Sequence, residues 1–129
     1  MGNVKKKILI VDDDKQFVKI LEDWFKSKGF DVISAFNGKE ALDIFQKAAP
    51  DAVLLDALIP KMDGFKTCKA MRDSEVGKKV PIIMMSAIYK KAAEATRAKG
   101  EYGATAYLNK PLNLIEVYNT VVNELMKTT

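Results

Sequence analysis

The chain predicts an α/β domain, a parallel sheet of five strands covered by helices on both faces. Three observations predict it. Short apolar runs alternate five times with segments of helical periodicity. The central run Ala52-Val53-Leu54-Leu55 is apolar throughout, as a strand covered on both faces requires. The 129 residues, 48% hydrophobic, supply one good core of single-domain size.

The elements follow in order. Ile8–Val11 is the first strand. Lys15–Lys28 carries Phe17, Ile20, Leu21, Trp24 and Phe25 at helical spacing, with Asp14 where an N-cap belongs. Trp24 continues this apolar stripe and so reads as core rather than as a ligand platform. Gly29 ends the helix, and Asp31–Ala35 reads as a second strand. Asn37 caps a helix bearing Ala41, Leu42, Phe45 and Ala48, which Pro50 stops. Ala52–Asp56 is the third strand.

The stretch from Ala57 to Gly64 is a loop punctuated by Pro60 and Gly64. Phe65, Cys68 and Met71 then form one face of a short helix, with Cys68 as a small buried hydrophobe. Val80–Ser86 is the fourth strand, with Pro81 tolerated at its start. Tyr89–Lys99 reads as a helix whose apolar content beyond Tyr89 is only alanine, so it is weakly anchored. Thr105–Asn109 is the fifth strand. Leu114, Tyr118, Val121, Val122 and Leu125 stripe a closing fifth helix that runs nearly to Thr129. Parallel strands joined this way need right-handed crossovers.

Composition excludes several function classes. No apolar run approaches the roughly 20 residues that span a bilayer. Lys5-Lys6-Lys7 leads straight into a strand rather than into a signal-peptide core. Met1-Gly2-Asn3-Val4 begins like a myristoylation motif, but Lys6 stands where Ser or Thr is needed. Cys68 is the only cysteine, so neither a disulfide framework nor a thiolate metal site is available, and a reducing, cytoplasmic setting is expected. With no histidine, zinc-hydrolase motifs, a Ser-His-Asp triad and a phosphohistidine on this chain are all excluded. The net charge of +4 is modest. The lysine groups at 5–7, 78–79 and 90–91 suit an acidic partner, or more simply a solvated surface. No nucleic-acid-binding module remains once the core elements are assigned.

In open parallel sheets, sites lie at the carboxyl ends of the strands. That rule brings separated residues together. Asp12 and Asp13 follow the first strand, Asp56 ends the third, Ser86 ends the fourth, and Lys110 follows the fifth. Taken singly, each has a bland reading as a turn or cap residue. Asp56 is the sharpest, because it directly ends an apolar run and its desolvation needs compensation. Together the carboxylates repel one another and invite a cation. Hard oxygen ligands without His or Cys suit Mg²⁺, which keeps waters that a phosphate can displace. No G-x-x-x-x-G-K-[ST] loop or G-x-G-x-x-G fingerprint is present, so a cradled nucleotide is not expected.

The set Ile8-Leu9-Ile10-Val11-Asp12-Asp13-Asp14, Asp56-Ala57-Leu58-Ile59-Pro60-Lys61-Met62-Asp63-Gly64, Ser86-Ala87 and Tyr107-Leu108-Asn109-Lys110-Pro111 resembles the response-regulator receiver family of two-component signalling. The resemblance covers essentially the whole chain. It implies a flavodoxin-like sheet of order 2-1-3-4-5 with five helices, and a receiver domain over residues 5–128 with no output domain. It implies that Asp56 accepts a phosphoryl group and that Asp13 and Asp56 ligate Mg²⁺ directly. The Leu58 backbone carbonyl is a third ligand in this scheme, and Asp12 acts largely through water. It further implies that Ser86 bonds the phosphoryl group, Lys110 pairs with it, and Tyr107 turns inward on activation. The Lys110-Pro111 linkage is often cis in the family.

Two departures stand out. The chain between Ser86 and Lys110 is slightly longer than the usual pattern, with Gly100-Glu101-Tyr102-Gly103 absorbing the excess. Leu58 and Ile88 flank the phosphoryl site where many relatives place polar residues, so self-dephosphorylation is expected to be slow. The resemblance makes the chain a switch that modifies itself rather than a turnover enzyme. Its expected partners are a sensor histidine kinase or histidine phosphotransferase and a downstream protein, with a homodimer possible and neither nucleic acid nor membrane bound directly. Two other readings stay open. One is a magnesium phosphatase or phosphotransferase forming an aspartyl-phosphate, although the chain lacks a spare acid and the length for a cap. The other is a flavodoxin-like binding module that works without phosphate.

Overall fold

A computed structural model describes residues 5–57, 59, 63–86 and 100–127. Five strands, β1 (Lys7–Val11), β2 (Asp31–Ala35), β3 (Ala52–Asp56), β4 (Ile82–Ser86) and β5 (Ala106–Asn109), form one sheet in the order β2-β1-β3-β4-β5. Every pairing is parallel. This is the flavodoxin-like order. Four helices lie among the described residues: α1 (Lys15–Ser27), α2 (Gly38–Ala48), α3 (Gly64–Asp73) and α4 (Leu114–Lys127). The helix expected over Tyr89–Lys99 lies outside them.

Side chains alternate across a strand, and the core divides accordingly. Leu9, Val11, Val53, Leu55 and Met84 pack with Ala41 and Phe45 of α2 and Cys68 and Met71 of α3. Ile8, Ile10, Leu54, Ile83 and Met85 point the other way, onto Val18, Leu21 and Phe25 of α1 and Val117, Val121 and Leu125 of α4. The α1 face is therefore centred on Val18-Leu21-Phe25. Ile20 falls outside it at 53% exposure, although its spacing counts as apolar periodicity.

The two caps expected from the sequence, Asp14 and Asn37, are present. Asp14 accepts from the Gln16 and Phe17 N–H groups, and Asn37 from Glu40 N–H. Glu40 reaches back to the Phe36 N–H at 2.7 Å. Asp63 caps α3 and Asn113 caps the start of α4. Gly29 leaves α1 with φ 90°, the left-handed region that glycine enters without a Cβ penalty. The fourth strand begins at Ile82 rather than Val80. Pro81 has no N–H to give the ladder, but its carbonyl accepts from Val53 N–H at 2.9 Å.

One corner depends on a residue without a sequence signal. Arg72, on the last turn of α3, donates from Nε to the Gly103 carbonyl at 2.9 Å. Its Nη1 donates to the carbonyls of Gly77 and Val80 at 2.8 and 2.7 Å. Its Nη2 donates to Thr105 Oγ1 at 3.1 Å, and that oxygen also accepts from Ile82 N–H at 3.0 Å. The guanidinium thereby ties α3 to the segments leading into β4 and β5. Beside it, Cys68 is fully buried and donates to the Tyr102 carbonyl. Burial pushes its thiol up to about 11, with the Arg72 charge opposing. Burial also lowers the Arg72 pKa from its ordinary value.

Candidate functional site

The ladder does not stop at the strand ends. Asp12 N–H donates to the Ala35 carbonyl at 3.2 Å, Ala57 N–H to Met85 at 2.8 Å, and Lys110 N–H to Ser86 at 2.8 Å. These bonds hold the backbone of the site-bearing residues against the sheet. The strand order sets β1 beside β3, where the direction of winding reverses, and such a switch point leaves a crevice at the carboxyl edge.

Asp12, Asp13 and Asp56 meet there. One carboxylate oxygen from each lies within 4.8 Å of the others. Asp12 and Asp56 are buried at 1% and 6% exposure, while Asp13 faces solvent. Asp12 Oδ1 accepts from the Asp14 N–H at 3.0 Å. Asp12 Oδ2 accepts from Lys110 Nζ at 2.7 Å, and the same ammonium stands 3.7 Å from Asp56 Oδ1. Among the described residues, three carboxylates face one ammonium, an excess of negative charge in a partly desolvated crevice. That donor set, all oxygen and open to water through Asp13, fits a hard divalent cation such as Mg²⁺.

Ser86 is buried at the end of β4, one residue past the Met85 that pairs with Asp56. The Lys110-Pro111 peptide is cis. Leu58 and Ile88 lie outside the described residues, as does most of the 87–109 stretch that makes the chain longer than expected. Tyr107 is not in the charged cluster. It pairs with Met84 within the sheet and packs on the α2–α3 side of the core. Its hydroxyl is buried with no hydrogen-bond partner among the described residues.

Two contributors carry no plain signal of their role in the sequence. A Cβ on Gly64 would lie 2.2 Å from the Asp56 carbonyl oxygen, so only glycine lets α3 start against the backbone of the buried acid. Gly64 N–H donates to the Ala57 carbonyl at 3.0 Å across that contact. Close to Pro60, such a glycine reads as loop punctuation only. Phe17, which falls in the apolar stripe of α1, places its ring centroid 4.4 Å from Lys110 Nζ.

Residues 8–122 match the family described as "Response regulator receiver domain". The chain belongs to the response-regulator receiver family. Among curated proteins, this receiver is 42% identical over 113 residues to "Probable transcriptional regulator ycf27" of Porphyra purpurea, covering 88% of this chain and 44% of that one. The receiver therefore spans less than half of that relative's length. Among solved structures, a response regulator described from Chloroflexus aurantiacus J-10-fl aligns with a TM-score of 0.88 at 36% identity, covering 95% of this chain and 99% of that one. The receiver domain of the sensor histidine kinase PA1611 from Pseudomonas aeruginosa PAO1 aligns with a TM-score of 0.85 at 25% identity, covering 95% of this chain and 98% of that one. That structure is described with a magnesium ion coordinated in its active-site cleft. No described helix is long and apolar enough to cross a membrane.

Proposed function

We propose that this receiver is a phosphorylation-dependent signalling switch in which Asp56 accepts a phosphoryl group. The observation that carries the reading is the crevice itself, where buried Asp56 lies beside two further carboxylates and one ammonium. Asp13 and Asp56, with the Leu58 carbonyl, would hold Mg²⁺, and Asp12 would act through water. When bound, the ion neutralises charge on the transferring phosphoryl oxygens.

The donor in this reading is a phosphohistidine on a sensor kinase or histidine phosphotransferase, and with no histidine on this chain that residue belongs to the partner. The Asp56 carboxylate attacks phosphorus in line, and the P–N bond breaks. The electron pair stays on the partner's imidazole nitrogen, which takes up a proton. Lys110 Nζ then pairs with a phosphoryl oxygen, and the Ser86 hydroxyl donates to another. Movement of Ser86 toward the phosphate opens space that Tyr107 fills, so the phosphate shifts the population toward a second conformer.

The output is altered binding of a downstream protein or of a second copy of the chain, over a receiver unit of residues 5–128 in the cytoplasm. A transcriptional role is ascribed to the longer relative from Porphyra purpurea. For this receiver we place the output in protein contacts, without direct nucleic-acid or membrane binding.

The test is intact-protein mass after incubation with phosphoramidate or acetyl phosphate, with and without Mg²⁺. One added phosphoryl group that requires both Mg²⁺ and Asp56 is expected, and Asp56→Asn should show none. An adduct of equal size in Asp56→Asn would refute the assignment. The phosphorylated protein should also hydrolyse slowly, because Leu58 and Ile88 offer no polar group to orient an attacking water. Rapid release of inorganic phosphate from the purified adduct would contradict that.

A further inference from the structure

Phe17 sits on the first turn of α1, and its N–H donates to the capping Asp14 Oδ1 at 3.1 Å. The cap fixes the backbone from which the ring projects. Lys110 Nζ lies 4.4 Å from the ring centroid, donates to Asp12 Oδ2 at 2.7 Å and stands 3.7 Å from Asp56 Oδ1. Two carboxylates and one electron-rich ring face therefore define where this ammonium rests. An ammonium is drawn to an aromatic face by the ring quadrupole, more strongly where water is excluded. The Lys110 side chain is only 19% exposed. Phe17 and Lys110 also line an open groove of about 750 Å³, together with Ile20, Pro111 and Leu112. Without the ring, the ammonium would face the water of that groove.

We propose that Phe17 is a positioning residue for phosphotransfer, holding the Lys110 ammonium within reach of both Asp12 and Asp56. The inference rests on Asp56 being the phosphoacceptor. Lysine is a strongly hydrated point charge on a flexible four-carbon stem, so an unconfined ammonium would divide its time between the crevice and solvent. The ring narrows that range. When negative charge develops on a phosphoryl group at Asp56, the cation is already placed and little reorganisation remains.

Phe17→Leu keeps apolar bulk and removes the ring face, and Phe17→Trp restores a ring. Asp56 phosphorylation by phosphoramidate in saturating Mg²⁺ should slow about three- to tenfold in the Leu variant and return to within about twofold in the Trp variant. In a Lys110→Gln background, Phe17→Leu should have no further effect. Equal losses in both backgrounds would overturn the proposal, because the ring would then act through packing alone. A second readout needs no phosphate. The Lys110 Hε protons should show an upfield ring-current shift in proton NMR that disappears in Phe17→Leu, and identical shifts in the two proteins would equally overturn it. A wild-type protein that shows the shift but takes no phosphoryl group would defeat the phosphoacceptor reading, and the positioning role with it, while leaving the contact in place.

Discussion

Lys110 and Arg72 are both partly buried cations, yet they are held in opposite ways. Lys110 faces two carboxylates at unequal distances, an aromatic ring and an open groove. Arg72 faces neutral oxygens, namely the carbonyls of Gly77, Val80 and Gly103 and the Thr105 hydroxyl. A point charge on a flexible stem can shift between neighbouring anions as charge in the crevice changes. A planar fork with several acceptors in fixed directions cannot shift without losing several bonds at once. One end of the molecule therefore keeps a cation that can respond, and the other uses a cation as a clamp.

The contrast would break most visibly at the clamp. Arg72→Ala should lose about 3 kcal/mol of stability, since it removes several charge-assisted hydrogen bonds to partly buried oxygens. Arg72→Lys should recover less than half of this, because one ammonium cannot reach acceptors on both β4 and β5 leads. Urea denaturation measures both, and a loss below about 1 kcal/mol in Arg72→Ala would show the clamp to be decorative. Folded Arg72→Lys should still take a phosphoryl group on Asp56, which separates the two cations by role.

A smaller effect should come from the thiol next to the clamp. The unfolded chain ionises Cys68 near its ordinary value of 9.0, whereas the folded protein holds the proton to about 11. Between those values the unfolded state binds fewer protons, so stability falls as pH rises, by roughly 2–3 kcal/mol in total, and is fully present below pH 9. Unfolding curves from pH 8 to 11 should show this slope, and Cys68→Ala should flatten it. An unchanged slope in that variant would assign the alkaline loss to other groups.

The smallest effect lies at the responsive end. Asp13→Asn removes one of three crowded charges at its exposed position, so it should stabilise the Mg²⁺-free protein by about 1 kcal/mol. It should also remove most of the rise in Tm that Mg²⁺ gives the wild type. Thermal melts with and without Mg²⁺ measure both. An Mg²⁺-dependent rise that survives intact would place the ion elsewhere.

Much of the site is legible in the amino-acid sequence, for a local reason. Asp12, Asp13 and Asp56 directly follow apolar runs, and Lys110 stands beside Pro111, so each lies at a strand end that periodicity can locate. Strand alternation yields the layers, and the cap residues mark the helix starts. The order β2-β1-β3-β4-β5 comes only through resemblance to a family, because hydrophobic periodicity says where strands are and not which of them pair. Arg72 is invisible to such reasoning. It is one basic residue on a helix that also carries lysines, and most of its acceptors are backbone carbonyls, which have no sequence signature. Gly64 reads as a turn glycine when its decisive property is contact with the Asp56 backbone.

By itself, then, the amino-acid sequence determined the fold class, the apolar faces and the identity of the charged residues at the carboxyl edge. These depend on neighbours a few positions apart, and the periods of helix and strand are short. The tertiary structure alone decided that Lys110 rests nearer Asp12 than Asp56, that the Phe17 ring lies against its ammonium and that Arg72 ties the far corner. Those are distances between residues as much as 98 positions apart. They are set by how two layers of helices pack on a twisted sheet, and nothing local in the chain encodes them.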